Sequence, residues 1–374
     1  MIMKVVHVLA GKANPETMNG VNKVVHHLSE EQTNNGLDVE VWGLTKSSLT
    51  SVHSHNYKLK LFSMMRTRFS ISPELTAEIE ASNADIVHFH SVFIPEFFVI
   101  AKLLSKNKTP WVITPHSGYS TESIAHNYLL KVMYFRVFEK YLIKNSRAIH
   151  LLGIREKGLL SKHCDDNKFV IIPNGHNVCE LVDHIEKRSE LPLFGFCGRL
   201  SIRHKGLDLL CLGFAEYVQS GGKGNLRIIG GGEVEQLKAI INELGLESRI
   251  DVMGPLFGTK KVESIRHMDA FIHTSRWEGI PMAVLEAASM KIPVLITEET
   301  NLGSYVRRHN AGYVLKDNSA HNISDALHKL EDDFVHKRIY PMGENAKSMI
   351  INDFSWSFVE AQVRHDLYNL GDSS

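Results

Sequence analysis

Two carboxylates eight positions apart, Glu278 and Glu286, bracket the run Arg276-Trp277-Glu278-Gly279-Ile280-Pro281. A loop acid and a helix acid can each accept hydrogen bonds from hydroxyls. The amides of a helix start lying between them suit an anion, being unpaired and at the positive end of the helix dipole. Pro281 reads as the first helical residue, where its missing N–H costs nothing. Together these groups fit a polyhydroxylated ligand with an anionic end, although a plain loop acid and a solvated helix acid would give the same pattern.

Further candidates follow other apolar runs. Gly198-Arg199-Leu200 and Lys205-Gly206 come directly after 193–197. Two cations in a loop at a strand's C-terminal end can neutralise a pyrophosphate, each desolvated contact being worth ~1.5–3 kcal/mol. A surface lysine at a helix entry would look the same as Lys205. Gly230-Gly231-Gly232 lets backbone approach a ligand at Gly231, or simply makes a tight turn. It matches neither the dinucleotide glycine fingerprint nor a P-loop. His116, in Thr114-Pro115-His116-Ser117-Gly118, stands just past the run 111–114 and is placed to orient a hydroxyl; His90 ends the run 85–90 in a similar way. Gly20 closes the loop 11–20 ahead of a helical pattern, as a phosphate-covering loop or an ordinary surface loop would.

The elements that must hold these residues are short β-branched runs at 4–10, 38–42, 85–90, 111–114, 148–152 and 169–172. A second series lies at 193–197, 226–229, 250–253, 270–274 and 293–296. Helical spacings separate them, as in Val21, Val24, Val25 and Leu28. Alternation of this kind predicts parallel sheets covered on both faces. The fold class expected is α/β, with two doubly wound Rossmann-like domains whose strand C-termini face across a cleft. The expected divisions are 1–180, 181–353 and a terminal helix at 354–374 that packs back on the first domain through its aromatic residues. The charged stretch 183–190 marks the junction.

Composition narrows the class. A chain of 374 residues exceeds one ordinary core. Lys+Arg and Asp+Glu balance at 42 each, so no global field recruits nucleic acid. No uncharged apolar run is long enough to cross a bilayer. The opening run, broken by His7, reads as a buried strand instead of a secretory leader. Cys164, Cys179, Cys197 and Cys211 form no C-x-x-C pair, which predicts free thiols in a reducing compartment. Histidines are numerous but scattered, and the pairs His53/His55 and His88/His90 lack identifiable further metal ligands.

Taken in order, these segments resemble the family-four retaining glycosyltransferases of the GT-B fold. The likeness runs through the Gly20 loop, Asp85-Ile86-Val87-His88, Thr114-Pro115-His116, Ile172-Pro173-Asn174-Gly175, Gly198-Arg199-Leu200 with Lys205-Gly206, and Ile229-Gly230-Gly231-Gly232. It is strongest from Glu278-Gly279-Ile280-Pro281 through Leu285-Glu286-Ala287. The resemblance implies a hexosyl transfer from a nucleotide-sugar, a UDP- or GDP-sugar consumed as substrate, with no cofactor and no metal. By that likeness His116, Glu278, Arg199 and Lys205 carry the chemistry. Gly20, Gly231, Gly279, Ile280, Pro281, Met282 and Glu286 hold the donor, Glu286 on the ribose hydroxyls. The chain departs from many relatives in having Asn19-Gly20 in place of paired glycines, and in Ser117 between His116 and Gly118.

Breaking the anomeric C–O bond builds negative charge on the departing diphosphate, where fixed cations and a helix dipole are most effective. With no Asp-x-Asp in the sequence to hold a divalent clamp, a metal-independent, configuration-retaining transfer is expected. Three other readings stay open. One is a retaining glycoside hydrolase, with its acids ~5–5.5 Å apart. The others are a sugar-nucleotide epimerase of the same fold and a non-catalytic nucleotide-sugar sensor. The segments 58–69 and 129–144 mix cations with apolar residues, as a peripheral contact with an anionic membrane or a core-facing helix would. The acceptor expected is a glycan or lipid-linked glycan, in cytoplasmic synthesis of surface polysaccharide or lipopolysaccharide at the inner face of the plasma membrane.

Overall fold

A computed structural model describes residues 2–17, 19–46, 53–119, 123–124, 127–157, 160, 163–177 and 190–368. The junction stretch 178–189, including Cys179, lies outside them. The chain divides into two compact units, Met1–Gly175 with Trp356–Ser374, and His176–Ser355.

The first unit carries seven parallel strands: β1 (Lys4–Leu9), β2 (Asp38–Thr45), β3 (Lys58–Ser63), β4 (Ile86–His90), β5 (Trp111–Thr114), β6 (Ala148–Leu151) and β7 (Phe169–Ile171), in the order β3-β2-β1-β4-β5-β6-β7. The second carries β8 (Leu193–Cys197), β9 (Asn225–Ile229), β10 (Ile250–Gly254), β11 (Ala270–His273), β12 (Val294–Ile296) and β13 (Gly312–Val314), in the order β10-β9-β8-β11-β12-β13. Each order reverses once, at β1/β4 and at β8/β11. Loops leaving the C-terminal ends of strands at such a reversal form a crevice that open α/β sheets use for ligands.

Two strands differ from the sequence reading. Lys58–Ser63 is an edge strand, not a membrane-facing or core-facing helix. Its period-two alternation sends Leu59 toward the core, while Lys58 pairs with Asp38 and Lys60 with Glu40 and Glu78. Charged edges of this kind blunt unwanted strand pairing. β13 is only three residues long, too short for a periodic signal.

The side chains of the first sheet alternate between two cores. Val6, Val8, Val87, Phe89 and Ile113 face one apolar cluster. Val5, Leu9, Ile86, Val112 and Ala148 face another, together with Val25 and Leu28 of the helix Gly20–Asn34. Trp356, Val359, Val363, Leu367 and Tyr368 of the C-terminal segment complete this second cluster. Gly175 lies so close to the Trp356 ring that a Cβ there would come within 2.3 Å of it. In the second unit one large core joins Phe194, Phe196, Leu226, Ile228, Ile272 and Leu295 to the helices Leu207–Gln219 and Ala320–Val335. Cys164, Cys197 and Cys211 are free thiols. No helix among the described residues is long and apolar enough to cross a membrane.

Candidate active site

In the second unit the functional side chains come from the loops after β8 and β11, the two strands flanking the reversal. Beyond β8 the short helix Ile202–Lys205 ends at Gly206, whose left-handed φ of 63° turns the chain into Leu207–Gln219. A Cβ at Gly206 would stand 2.1 Å from the Thr274 carbonyl oxygen, so only glycine fits this crossing. Thr274 Oγ1 donates to the carbonyls of Lys205 and Gly206, both at 3.1 Å. The Arg276 guanidinium grips the Asp208 carboxylate through two bonds of 2.8 and 2.7 Å. The acid-bearing loop is thereby fastened to the cation-bearing one before any ligand arrives.

Glu278 and Lys205 meet directly as an ion pair, each side chain largely sequestered. Around the same carboxylate oxygen lie His273 Nε2 at 3.3 Å, Ser275 Oγ at 3.3 Å and His204 Nε2 at 3.9 Å. His204 also stacks on Trp277 and donates to its carbonyl at 2.9 Å. Asn301 Nδ2 holds the carbonyls of Glu278 and Gly279 at 3.0 and 2.8 Å. Burial, reinforced by the Arg199 charge, pushes the Lys205 ammonium down to about 8. His273 is held well below the usual imidazole range by burial and by Lys205, so it stays neutral. Arg199 itself is exposed.

Glu286 belongs to a different constellation. Lys261, from the helix Gly258–Arg266, reaches both Glu286 oxygens at 2.7 and 2.8 Å. Both charges bear on the Cys197 thiol at the C-terminal end of β8. Pro281 is the extended residue before the helix Met282–Ser289, not its first residue as expected. The amides of Met282 and Ala283 consequently have no intrahelical acceptor, and no side chain caps them. Ile280 is buried and Met282 exposed.

The triple glycine interlocks with the Arg199 loop. A Cβ on Gly230 would lie 1.8 Å from the Gly198 carbonyl oxygen, and one on Gly232 2.5 Å from that of Leu200. The Leu200 N–H donates to the Gly231 carbonyl at 2.8 Å. A Cβ on Gly231, by contrast, would meet only Pro255, at 3.7 Å. Gly230 and Gly232 thus have structural reasons to be glycine that Gly231 lacks.

In the first unit Gly20 opens the helix Gly20–Asn34, with Asn19 Oδ1 accepting from the Val21 N–H at 2.9 Å. His116 adopts a left-handed φ of 50° and Ser117 one of 62°. Such backbone costs on the order of 1–3 kcal/mol for non-glycine residues and clusters at functional sites. Ser117 Oγ donates to Glu156 at 2.5 Å, securing the turn. His116 is not a lone histidine: its Nε2 lies 3.1 Å from His90 Nδ1, and His90 Nε2 lies 2.9 Å from His7 Nδ1. Burial lowers His116 to about 3 and His7 to about 4, and keeps His90 well below its usual range. His7, His88 and His90 have ligand atoms within 4.8 Å of one another, close enough for a metal ion. All six of their ring nitrogens, however, are taken up in hydrogen bonds to protein groups, a set that fits a polar network better than an ion.

The chain is similar to known glycosyltransferases. Residues 18–178 match the family model described as Glycosyltransferase Family 4, and residues 178–349 the one described as Glycosyl transferases group 1. An uncharacterised glycosyltransferase of Methanocaldococcus jannaschii is 27% identical over 175 residues, 42% of this chain and 41% of that protein's own length. The UDP-Gal:alpha-D-GlcNAc-diphosphoundecaprenol alpha-1,3-galactosyltransferase of Escherichia coli is 25% identical over 291 residues, 72% of each chain. Among solved structures, Anabaena HepE in complex with UDP superposes with a TM-score of 0.74 at 15% identity, covering 98% of this chain and 100% of that one.

Proposed function

The chain belongs to glycosyltransferase family 4, and from that premise we propose that it moves a hexosyl residue from a UDP-sugar to a lipid-linked glycan, with retention of configuration and without a metal. The observation that carries this reading is the Lys205–Glu278 pair with Arg199 beside it, set at the reversal of the second sheet. A uridine base is favoured over guanine by two relatives, one named for UDP-Gal and one solved with UDP. That the matching relatives are glycosyltransferases favours transfer over epimerisation.

In this account Glu286 accepts from the ribose hydroxyls, with Lys261 holding its carboxylate in place. Arg199, Lys205 and the amides of Met282 and Ala283 face the diphosphate, and Glu278 faces the sugar. The anomeric C–O bond breaks with its electron pair leaving on the diphosphate, whose growing charge those groups meet. The acceptor oxygen bonds the anomeric carbon, and its proton passes to the departing phosphate. His116 is assigned to a hydroxyl of the transferred sugar.

A peripheral contact with an anionic membrane is supported by the segment Tyr128–Asn145. Leu129, Leu130, Met133 and Val137 are exposed there, beside exposed Arg136, Lys140 and Lys144. Phe135, Leu142 and Ile143 face the interior. Burying that apolar row while the cations meet lipid phosphates suits an interfacial helix. In the 58–69 segment Lys58, Lys60 and Arg68 are paired with acids, while Met65, Arg66 and Phe69 are exposed.

Thermal-shift measurements against UDP-, GDP- and ADP-sugars test the donor assignment. A donor at 100 times its Kd adds ~2.7 kcal/mol of stability. Stabilisation by UDP-sugars alone is expected, and no response to any nucleotide-sugar would contradict the reading. Sedimentation with anionic liposomes at low salt, lost in the Leu129→Asp/Leu130→Asp variant, checks the membrane contact.

A further inference from the structure

The C-terminal ends of β1, β4, β5 and β6 carry polar residues on one sheet face, the face covered by the helix Gly20–Asn34 and the C-terminal segment. Strand register explains the grouping: His7 pairs with His88, His88 with Val112, and His90 with Thr114. Side chains two apart share a face, so His7, His88, His90, Thr114 and His150 line one polar layer above the apolar core. Gln32 and Tyr368 close it from the helices.

One anchor orders the whole layer. The Ile172 carbonyl can only accept, so His150 Nε2, 2.8 Å away, carries the proton. His150 Nδ1 is then a bare acceptor and takes the Thr114 hydroxyl hydrogen at 2.8 Å. With that hydrogen committed, Thr114 Oγ1 accepts from His88 Nε2 at 2.6 Å, leaving His88 Nδ1 to accept from the Tyr368 hydroxyl at 2.8 Å. Tyr368 in turn accepts from the Gln32 amide nitrogen at 3.2 Å, which turns the Gln32 carbonyl oxygen to His7 Nε2 at 2.7 Å. His7 Nδ1 accepts from His90 Nε2, and His90 Nδ1 accepts from His116 Nε2. Burial keeps all five rings neutral, so no second proton breaks the order. Every link is forced by the one before it.

We infer that Tyr368 and Thr114 are positioning residues for the transfer reaction, acting through this eight-bond chain to fix His116 as the Nε2–H tautomer with a lone pair on Nδ1. His116 then offers an acceptor to a sugar hydroxyl and cannot offer a donor there. A terminal segment otherwise serving to close a core thereby sets the hydrogen-bonding character of a group more than 250 positions earlier. This rests on the assignment of His116 to the transferred sugar.

The test is nitrogen NMR of histidine-labelled full-length protein at neutral pH, read beside steady-state transfer kinetics. The wild type is expected to show His116 protonated on Nε2 only. Tyr368→Phe removes the donor to His88 and the acceptor for Gln32. Thr114→Val removes a link with little change of shape, whereas Thr114→Ser keeps the hydroxyl. Both breaking variants are expected to give mixed His116 tautomers and a ~10-fold fall in kcat, with donor KM moving less than 2-fold; Thr114→Ser is expected to restore the single tautomer. An Nδ1–H form in the wild type, or an unmoved tautomer in both breaking variants, overturns the chain. A moved tautomer with unchanged kcat overturns its role in transfer. Absence of transfer in the wild type strikes the functional assignment alone, because the NMR reading still decides the order of the chain.

Discussion

The two sheets reverse at equivalent points yet end in opposite electrostatics. Beyond β8, β10 and β11 stand Arg199, Lys205, Lys261, Glu278 and Glu286, an end rich in fixed charge with Lys205 and Lys261 set beside acids. Within β1, at the end of β4 and just past β5 stand His7, His90 and His116, which burial holds neutral. The topology is shared, so the difference lies in the loops and strand ends laid on it. A charged end suits an anionic leaving group. A neutral, internally satisfied end can present one hydrogen-bonding atom to a sugar without competing for the diphosphate.

The largest expected effect separates the charges. Lys205→Ala should lower kcat by ~10²–10³, the range seen when a preorganised group facing developing negative charge is removed. The wild-type rate should also fall above pH of about 8 as that ammonium loses its proton. Lys205→Arg should move this alkaline limb upward, whereas an unchanged limb would break the assignment of Lys205.

The neutral end makes the opposite prediction, in acid. His7 and His150 sit near 4 in the folded protein against 6.5 when unfolded, so the unfolded chain binds more protons between those values. Stability is present in full above pH 6.5 and is lost as pH falls toward 4, by up to ~3 kcal/mol for each ring. Hydrogen exchange at pH 5 should show strands β1–β7 losing protection before β8–β13. Simultaneous loss would count against the contrast.

Within the charged end, Glu286→Ala and Lys261→Ala should weaken donor binding about 10-fold, ~1.4 kcal/mol by calorimetry, with kcat at saturating donor little changed. The smallest effect belongs to Gly231→Ala. Its Cβ meets only Pro255, so stability should shift by no more than ~0.5 kcal/mol. If donor backbone contact needs that space, KM should rise a few-fold, whereas Gly206→Ala should destabilise the unit because the Thr274 carbonyl blocks it.

Much of this was legible before the structure. Eleven of the strands coincide with the short runs of β-branched, aliphatic or aromatic residues read from the sequence, and the loops holding Arg199, Lys205 and Glu278 follow directly from them. The pairing of Lys205 with Glu278, 73 positions apart, needed the Gly206–Thr274 crossing to become visible. Lys261 was missed because Lys260-Lys261 looks like any solvated helix face, and only the neighbouring helix brings it to Glu286. The histidine chain was hidden more deeply. Residues 7, 88, 114 and 150 meet through parallel register and Tyr368 joins them through packing of the C-terminal segment, neither of which sequence spacing encodes. Lys58–Ser63 shows the converse: its alternation was on view, but mixed lysines and leucines also suit a surface helix, and only its acidic partners decide.

The central claim is that the charged end of the second sheet holds a nucleoside diphosphate without a divalent metal. Calorimetric titration of UDP into wild-type protein and into Lys205→Ala, both in excess EDTA, tests it most directly. Binding by the wild type and at least a ~10-fold loss in the variant is the predicted result. Equal affinity in the two proteins, or wild-type binding that appears only when magnesium is supplied, would contradict it.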